Sequence, residues 1–331
     1  MTLPLGEYSG VILAAGRGKR MAPFSERYPK PILPICNRPL IEYHIEIMKA
    51  LGIVDIVILV GHKGYEITRV LGDGSRLGVS VRYVEQTSAL GIANAVGQLE
   101  RHLRRPFILF LGDIFFVPGD LAEMFAIFRR QGGGGVLAVK EDTPEAVRRN
   151  FSVTLSASGL VTKVIEKPRH SSQRLKGVGL YLFDLTIFDA IRRTPRTAMR
   201  DEYELTDAIQ VMIDDGHPVR VAQSVLDDIN LTGPADLLRC NLRHAESCPP
   251  EALVGRDTWV NPGASIERSV VGAHVRIKHP IRISHSVVLD NTTVDSTTGF
   301  EYCIISPELV VDCRRELVDT GLPPGPDREI R

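Results

Sequence analysis

Gly10-Val11-Ile12-Leu13-Ala14-Ala15-Gly16-Arg17-Gly18-Lys19-Arg20 decides the fold. The unbroken apolar run from Val11 to Ala15 suits a strand buried on both faces of a parallel sheet. Glycines and cations follow at once. The strand therefore ends in a loop that offers backbone N–H groups and guanidinium forks to an anion. The spacing matches neither G-x-G-x-x-G nor G-x-x-x-x-G-K-[ST], which disfavours the dinucleotide-binding and ATPase loops. Pro23, Pro29, Pro31 and Pro34 keep the next stretch out of regular helix.

Further along, strands and helices alternate. Leu40–Leu51 has helical periodicity and stops at Gly52. Asp55–Val60, Val79–Val84 and Phe107–Leu111 read as strands, with a helix over Ile92–Leu103 between the last two. Further strands are expected at Gly135–Lys140, Phe151–Leu155, Leu160–Glu166, Gly177–Phe183 and Val219–Ala222. Helices are expected at Leu205–Asp214 and Asp236–Ala245. Strands alternating with helices imply an α/β fold, a mixed and mainly parallel sheet with helices on both faces.

The pattern changes after Ala252. Val254, Val260 and Ile266, then Val271, Ile277, Ile283 and Leu289, recur at a spacing of about six, broken at Val270-Val271. A hexapeptide period favours a short left-handed β-helix; an antiparallel sheet with short loops is the competing reading. The chain thus divides into an α/β domain (1–245), a linker (246–252) containing Cys248-Pro249-Pro250, the β-helix (253–312) and a flexible tail (313–331).

The 331 residues carry 40 Lys+Arg and 40 Asp+Glu, so the formal net charge is zero, which argues against a general nucleic-acid binder. No apolar run approaches the roughly 20 residues of a membrane span, and no secretory leader is expected. Five cysteines without a C-x-x-C pair suit reduced thiols in the cytoplasm.

One stretch carries the chemistry. Leu13-Ala14-Ala15-Gly16-Arg17-Gly18-Lys19-Arg20-Met21-Ala22-Pro23, followed by Pro29-Lys30-Pro31-Ile32-Leu33-Pro34, resembles the signature of sugar-1-phosphate nucleotidyltransferases. Other blocks extend the resemblance over about 240 residues: Gln86–Ala93, Leu111-Gly112-Asp113, Val164-Ile165-Glu166-Lys167-Pro168, Gly177–Tyr181, Glu204–Asp207 and Asp227–Asn230. The resemblance implies a Rossmann-like domain that joins an NTP to a sugar 1-phosphate, releasing pyrophosphate. Both substrates are anionic, so catalysis consists of positioning and charge neutralisation. No protein nucleophile is needed.

The resemblance assigns roles residue by residue. Arg20 holds the NTP phosphates and Lys30 neutralises the α-phosphate. Leu13, Ala14, Ala15, Gly16, Gly18 and Lys19 line the nucleotide, while Gln86 and Gly91 read base and ribose. Ser152, Glu166, Lys167 and Val178 contact the sugar phosphate. Asp113 and Asp228 hold Mg²⁺, with the adjacent Asp227 the other choice for the second ligand. Lone aspartates of this kind more often cap loops or helices.

Three departures bear on substrate. Lys19 stands where Thr is usual, Ser152 where Gly follows the aromatic, and Ile92 where Thr is usual. They leave the base open between dTTP/UTP and GTP and point to a modified sugar. His274, His279 and His285 lie in coils too short for a second, acetyl-transferring activity, so the coils are expected to serve homo-oligomer contacts or to cover the first domain. The alternative function is a non-catalytic regulatory subunit on the same fold. Such a chain should have lost Arg20, Lys30 or the aspartates, and all are present.

Overall fold

The computed structural model describes residues 6–170, 173–198 and 200–318. In chain order it forms β1 (Ser9–Ala14), β2 (Pro34–Ile35), β3 (Arg38–Pro39), α1 (Leu40–Ala50), β4 (Asp55–Val60) and α2 (Gly64–Leu71). Next come β5 (Ser80–Glu85), α3 (Ile92–Gly97), β6 (Phe107–Leu111), β7 (Ile114–Pro118), α4 (Ala122–Gln131), β8 (Gly135–Glu141) and α5 (Pro144–Arg149). β9 (Phe151–Leu155), β10 (Val161–Glu166), β11 (Leu175–Phe183), α6 (Thr186–Arg193), α7 (Leu205–Asp214), β12 (Val219–Ala222), β13 (Val225–Asn230) and α8 (Pro234–Ala245) follow.

The chain packs as two compact units that do not follow chain order. Among the described residues, one comprises 6–17, Tyr28–Ile32 and Ile41–Ile229; the other comprises Gly18–Arg27, Leu33–Leu40 and 230–318. The second unit therefore takes in α8, which the sequence places with the α/β domain.

In the first unit a mixed sheet runs β10-β9-β11-β6-β1-β4-β5, with β8 pairing β11 and β12. Around β1 the pairing is parallel: β1 to β4, β1 to β6 and β4 to β5. Beyond β6 the sheet turns antiparallel, β11 pairing that way with β6, β8 and β9. Successive residues of β1 face opposite cores. Ile12 joins a cluster with α1, α2 and α4, through Ile45, Ile67 and Phe125. Val11 joins a cluster with α3, α6 and α7, through Val96, Ile187 and Ile209. Helices thus cover both faces, as the period-2 geometry of a fully buried strand requires.

Local chemistry sets several boundaries. Gly52 and Gly132 end α1 and α4 in left-handed conformation, at φ 83° and 80°. Thr143 Oγ accepts from Ala146 N at 3.2 Å and caps α5, with Pro144 in its first turn. The helix expected over Ile92–Leu103 stops at Gly97. A separate 3₁₀ turn at Glu100–His102 completes the stretch, because glycine gives up more backbone entropy in a helix than any other non-proline residue.

In the second unit, residues 17 apart stack in parallel: Val260 on Ile277 on Val294, and Ile266 on Ile283 on Phe300. On the third side the stack is Val271, Val288 and Ile305. These are the rungs of a short β-helix, and one correction to the repeat follows. Val288, not Leu289, occupies the stacked position. Each turn spends one residue fewer than three hexapeptides, which accounts for the break at Val270-Val271. The interior is a cluster of Val271, Ile277, Ile283, Val288, Val294 and Ile305, and burying each such side chain contributes roughly 1.5–3 kcal/mol.

The corners repeat too. Asp257, His274 and Asn291 have positive φ, as do Arg268, His285 and Tyr302. His285 stacks on the Tyr302 ring at 4.8 Å, and His279 meets Asp295 at 2.8 Å. The coil histidines are therefore corner and surface residues. A second correction concerns the tail: Arg314–Val318 is helical, with Leu317 buried. The rest of the expected tail, 319–331, lies outside the described residues.

Candidate active site

The strand order reverses at β1, with β4 beside it on one side and β6 on the other. In open α/β sheets ligands bind at such a point, beyond the carboxyl ends of the strands. Three expected site segments leave the sheet at that edge: the loop after β1, Gln86 after β5, and Gly112-Asp113 after β6. Gln86 N donates to Val60 O at 2.7 Å, tying its loop to the end of β4.

Close approach of backbones shapes the edge. Gly112 N donates to Leu13 O at 2.9 Å, and a Cβ on Gly112 would lie 2.5 Å from that oxygen. Only glycine lets the β6 loop lie against the end of β1. Gly91 is held at φ 106°, with a Cβ there 2.5 Å from Tyr203 O. The loop before α3 is thereby clamped to the segment before α7. Leu13, Ala14 and Ala15 offer backbone only, for Ala14 and Ala15 are buried. Gly16 is exposed.

Lys30 and Asp113 are brought together. A one-turn 3₁₀ segment, Lys30–Ile32, roots Ile32 in the core and buries most of the lysine stem. Lys30 Nζ lies 3.2 Å from Asp113 Oδ2. The lysine side chain is 10% exposed and the aspartate 48%, so a carboxylate open to solvent sits beside a sequestered ammonium. The chain passes into the second unit after Arg17. There Gly18, at φ 61°, opens a 3₁₀ turn over Lys19–Met21 that buries Met21 and leaves Lys19 and Arg20 exposed.

A second cluster holds Glu166 and Lys167 at the end of β10. Lys167 adopts φ 42°, rare without glycine, and its N–H reaches Asn150 O at 2.6 Å. Lys167 Nζ is 3.4 Å from Glu166 Oε1. Arg200 bonds Glu204 at 2.7 Å and approaches Glu166 at 3.7 Å. Burial, seconded by the charge of Glu204, raises the pKa of Glu166 against the pull of Lys167 and Arg200. Burial and Glu204 raise Asp207 likewise. One arginine and one lysine among three carboxylates make a polar cluster suited to hydroxyl groups.

Three expected site residues are buried. Val178 is buried in the apolar cluster under the sheet, so it offers no side chain to a sugar phosphate. Ser152 is buried between Lys176 and Ile165 in the sheet register. Asp228 is the largest correction. Its side chain is wholly buried, and both its oxygens accept from Lys176 Nζ, at 2.8 and 2.9 Å. Lys140 Nζ lies 3.3 Å from Asp228 and 2.7 Å from Asp227. Asp142 completes the network at 3.2 Å from Lys176. Burial opposes charge on Lys140, but Asp227 and Asp228 outweigh it and raise its pKa. A lysine-clamped carboxylate is no donor for a hard divalent cation, which needs oxygens free of competing ammonium. Among the described residues no group of three or more acids, histidines or cysteines could hold a metal. The two-carboxylate Mg²⁺ site expected from sequence does not fit the residues as placed.

Lys140, Asp142 and Lys176 were not singled out in the sequence. The signal was there: Lys176 interrupts the otherwise uncharged strand Leu175–Phe183, and a lysine in a buried strand demands a partner. What the sequence lacks is the register, which sets Lys176 directly opposite Lys140.

Comparison with known proteins gives the family. Residues 9–228 match the nucleotidyl transferase family model, and residues 233–319 match the GlmU-like C-terminal hexapeptide model. A glucose-1-phosphate thymidylyltransferase of Streptomyces griseus is 33% identical over 311 residues, 92% of this chain and 82% of the relative. The low-salt glycan biosynthesis nucleotidyltransferase Agl11 of Haloferax volcanii is 35% identical over 240 residues, 70% of this chain but only 64% of that protein's length. A solved glucose-1-phosphate thymidylyltransferase structure from Bacillus anthracis, with sucrose bound, superposes at TM-score 0.65 and 26% identity, covering 73% of this chain and 96% of that one. A UDP-glucose pyrophosphorylase complexed with UDP-glucose shares the fold, at TM-score 0.65 and 20% identity over 73% of this chain and 99% of that one.

Proposed function

Because the chain belongs to the nucleotidyl transferase family, we propose that it makes an NDP-sugar and pyrophosphate from an NTP and a sugar 1-phosphate. The observation that carries this reading is Lys30 held 3.2 Å from a half-exposed Asp113 at the carboxyl edge of the sheet. Attack of the sugar phosphate oxygen on the α-phosphorus brings two anions together. A buried ammonium fixed at that edge neutralises charge without reorganising during the reaction. Gly16 and Gly18 let the loop backbone approach the triphosphate, and the exposed Arg20 takes charge on the leaving pyrophosphate. Gln86 reads the base, its amide donating and accepting at once, which suits thymine or uracil but also guanine; the thymidylyl- and uridylyltransferase relatives are what favour a pyrimidine. Glu166 orients the sugar through its hydroxyls and Lys167 meets the sugar phosphate. Asp113 is the carboxylate that would meet a Mg²⁺ arriving with the triphosphate.

Two further readings are part of the proposal. None of the five cysteines forms a disulfide, which supports a reducing, cytoplasmic setting. Among the described residues no helix is long and apolar enough to cross a membrane. Val254, Trp259 and Val310 of the coil unit are exposed apolar residues, which supports assembly into a homo-oligomer.

The test is a matrix of nucleoside triphosphates against several sugar 1-phosphates, read as pyrophosphate release. Turnover with one pyrimidine triphosphate and one sugar phosphate is expected. A chain that binds NDP-sugar yet releases no pyrophosphate from any pair would instead be the non-catalytic subunit.

A further inference from the structure

Lys176 and Lys140 face each other across neighbouring strands, and like charges in that position repel. The arrangement exists because three carboxylates, Asp142, Asp227 and Asp228, close around the two ammonium groups at 2.7–3.5 Å. The pair is deeply set: the Lys176 side chain is 5% exposed and that of Asp228 not at all. One ammonium takes both oxygens of Asp228, so the carboxylate is satisfied in charge and in hydrogen bonding.

We propose that Lys176, seconded by Lys140, stands in this chain where a divalent cation would have to stand to use Asp228. The charge that answers Asp228 is thus part of the polypeptide. This rests on the reading of the chain as a nucleotidyltransferase only in expecting a divalent cation at all; two ammonium groups against three carboxylates leave the network itself with no net positive charge. A metal at Asp228 must displace Lys176 from both oxygens and sit against two ammonium groups, which a hard cation with oxygen ligands does not do. Lys176 acts through Asp228 as a positioning residue.

The test uses Mn²⁺ as the probe, titrated into the full chain without nucleotide and followed by the electron paramagnetic resonance of the free ion. In the wild type, Asp228→Asn is expected to leave Mn²⁺ binding unchanged. Lys176→Ala should gain one Mn²⁺ site per chain, at least tenfold tighter than any in the parent. Lys176→Ala/Asp228→Asn should lose it again, and Mn²⁺ should raise the melting temperature of Lys176→Ala alone. Weaker Mn²⁺ binding in Asp228→Asn would overturn the proposal even if Lys176→Ala failed to fold, and so would a folded Lys176→Ala that gains no site. Neither result touches the transferase reading, which stands or falls on pyrophosphate release.

Discussion

At the parallel edge of the sheet Lys30 meets Asp113 at 3.2 Å, with the carboxylate half exposed; beside the antiparallel half Lys176 meets Asp228 at 2.8 Å, with the carboxylate wholly buried. The chemistry of the two pairs is the same, but their surroundings differ. Lys30 has one long contact and space on the side of its partner, so an incoming phosphate can exchange for Asp113 at low cost. Lys176 bonds both oxygens of Asp228 and has Asp142 in reserve. An ion pair that is open to solvent can bind, whereas one that is closed and fully satisfied can only hold structure and field in place.

The contrast breaks most sharply at Lys176. Lys176→Met leaves a buried aspartate with only Lys140 near it. It should destabilise the fold by roughly 3–5 kcal/mol, the usual cost of removing one partner of a buried pair. Urea denaturation measures it, and pairing the change with Asp228→Leu should recover much of the loss. A drop below about 1 kcal/mol would mean that the network is wet. Lys30→Ala is expected to do the opposite, with little change in the urea midpoint but turnover down about 10²–10³-fold, the cost of losing one preorganised charge donor. Pyrophosphate release under saturating substrate reads it. Near-normal turnover would remove Lys30 from the mechanism.

A third contrast is between buried polar groups. The antiparallel half buries ions in pairs; the helix behind the parallel half buries a neutral ring. His44 Nε2 lies 2.7 Å from Ile114 O, and burial lowers its pKa to about 4 despite that bond and the charge of Asp113. The folded pKa is below the ordinary value, so the neutral form is favoured in the fold. Stability from this group is complete above about pH 6.5 and is lost as pH falls towards 4, by about 3 kcal/mol in all. His44→Phe should flatten the acid limb of a stability–pH curve. An unchanged limb would place the acid sensitivity in the carboxylates instead.

Much of this architecture was legible because one residue type sufficed to signal it. The run after Gly10 suits a buried strand, and Gly16, Gly18 and the cations beside them suit an anion, whereas Lys30 and Asp113 came through the family resemblance. The misses share a cause in three-dimensional register. α2, α4, α5 and α6 are short helices of six to ten residues, whose apolar positions number too few to show a period. A six-residue count lands on Leu289 instead of Val288 because it ignores a corner that is one residue short. Asp228 matched a motif, but nothing in the sequence says that Lys140 and Lys176 lie opposite one another and reach the same carboxylate.

The smallest expected effect lies at Glu166, which stands between the two regimes. Its side chain is 18% exposed and shares cations with Glu204, so it is neither open like Asp113 nor closed like Asp228. Burial and Glu204 raise its pKa, and it therefore takes up a proton at higher pH than an ordinary glutamate. Once protonated it no longer accepts two sugar hydroxyls. The KM for the sugar phosphate should rise as pH falls through that displaced ionisation, while kcat changes little. Glu166→Gln should raise KM about fivefold, the worth of roughly one hydrogen bond, and should remove the acid limb from the KM–pH profile. If the limb survives in Glu166→Gln, the titrating group is Asp207, whose pKa is raised for the same reasons, and the pocket is then read by α7 rather than by the end of β10.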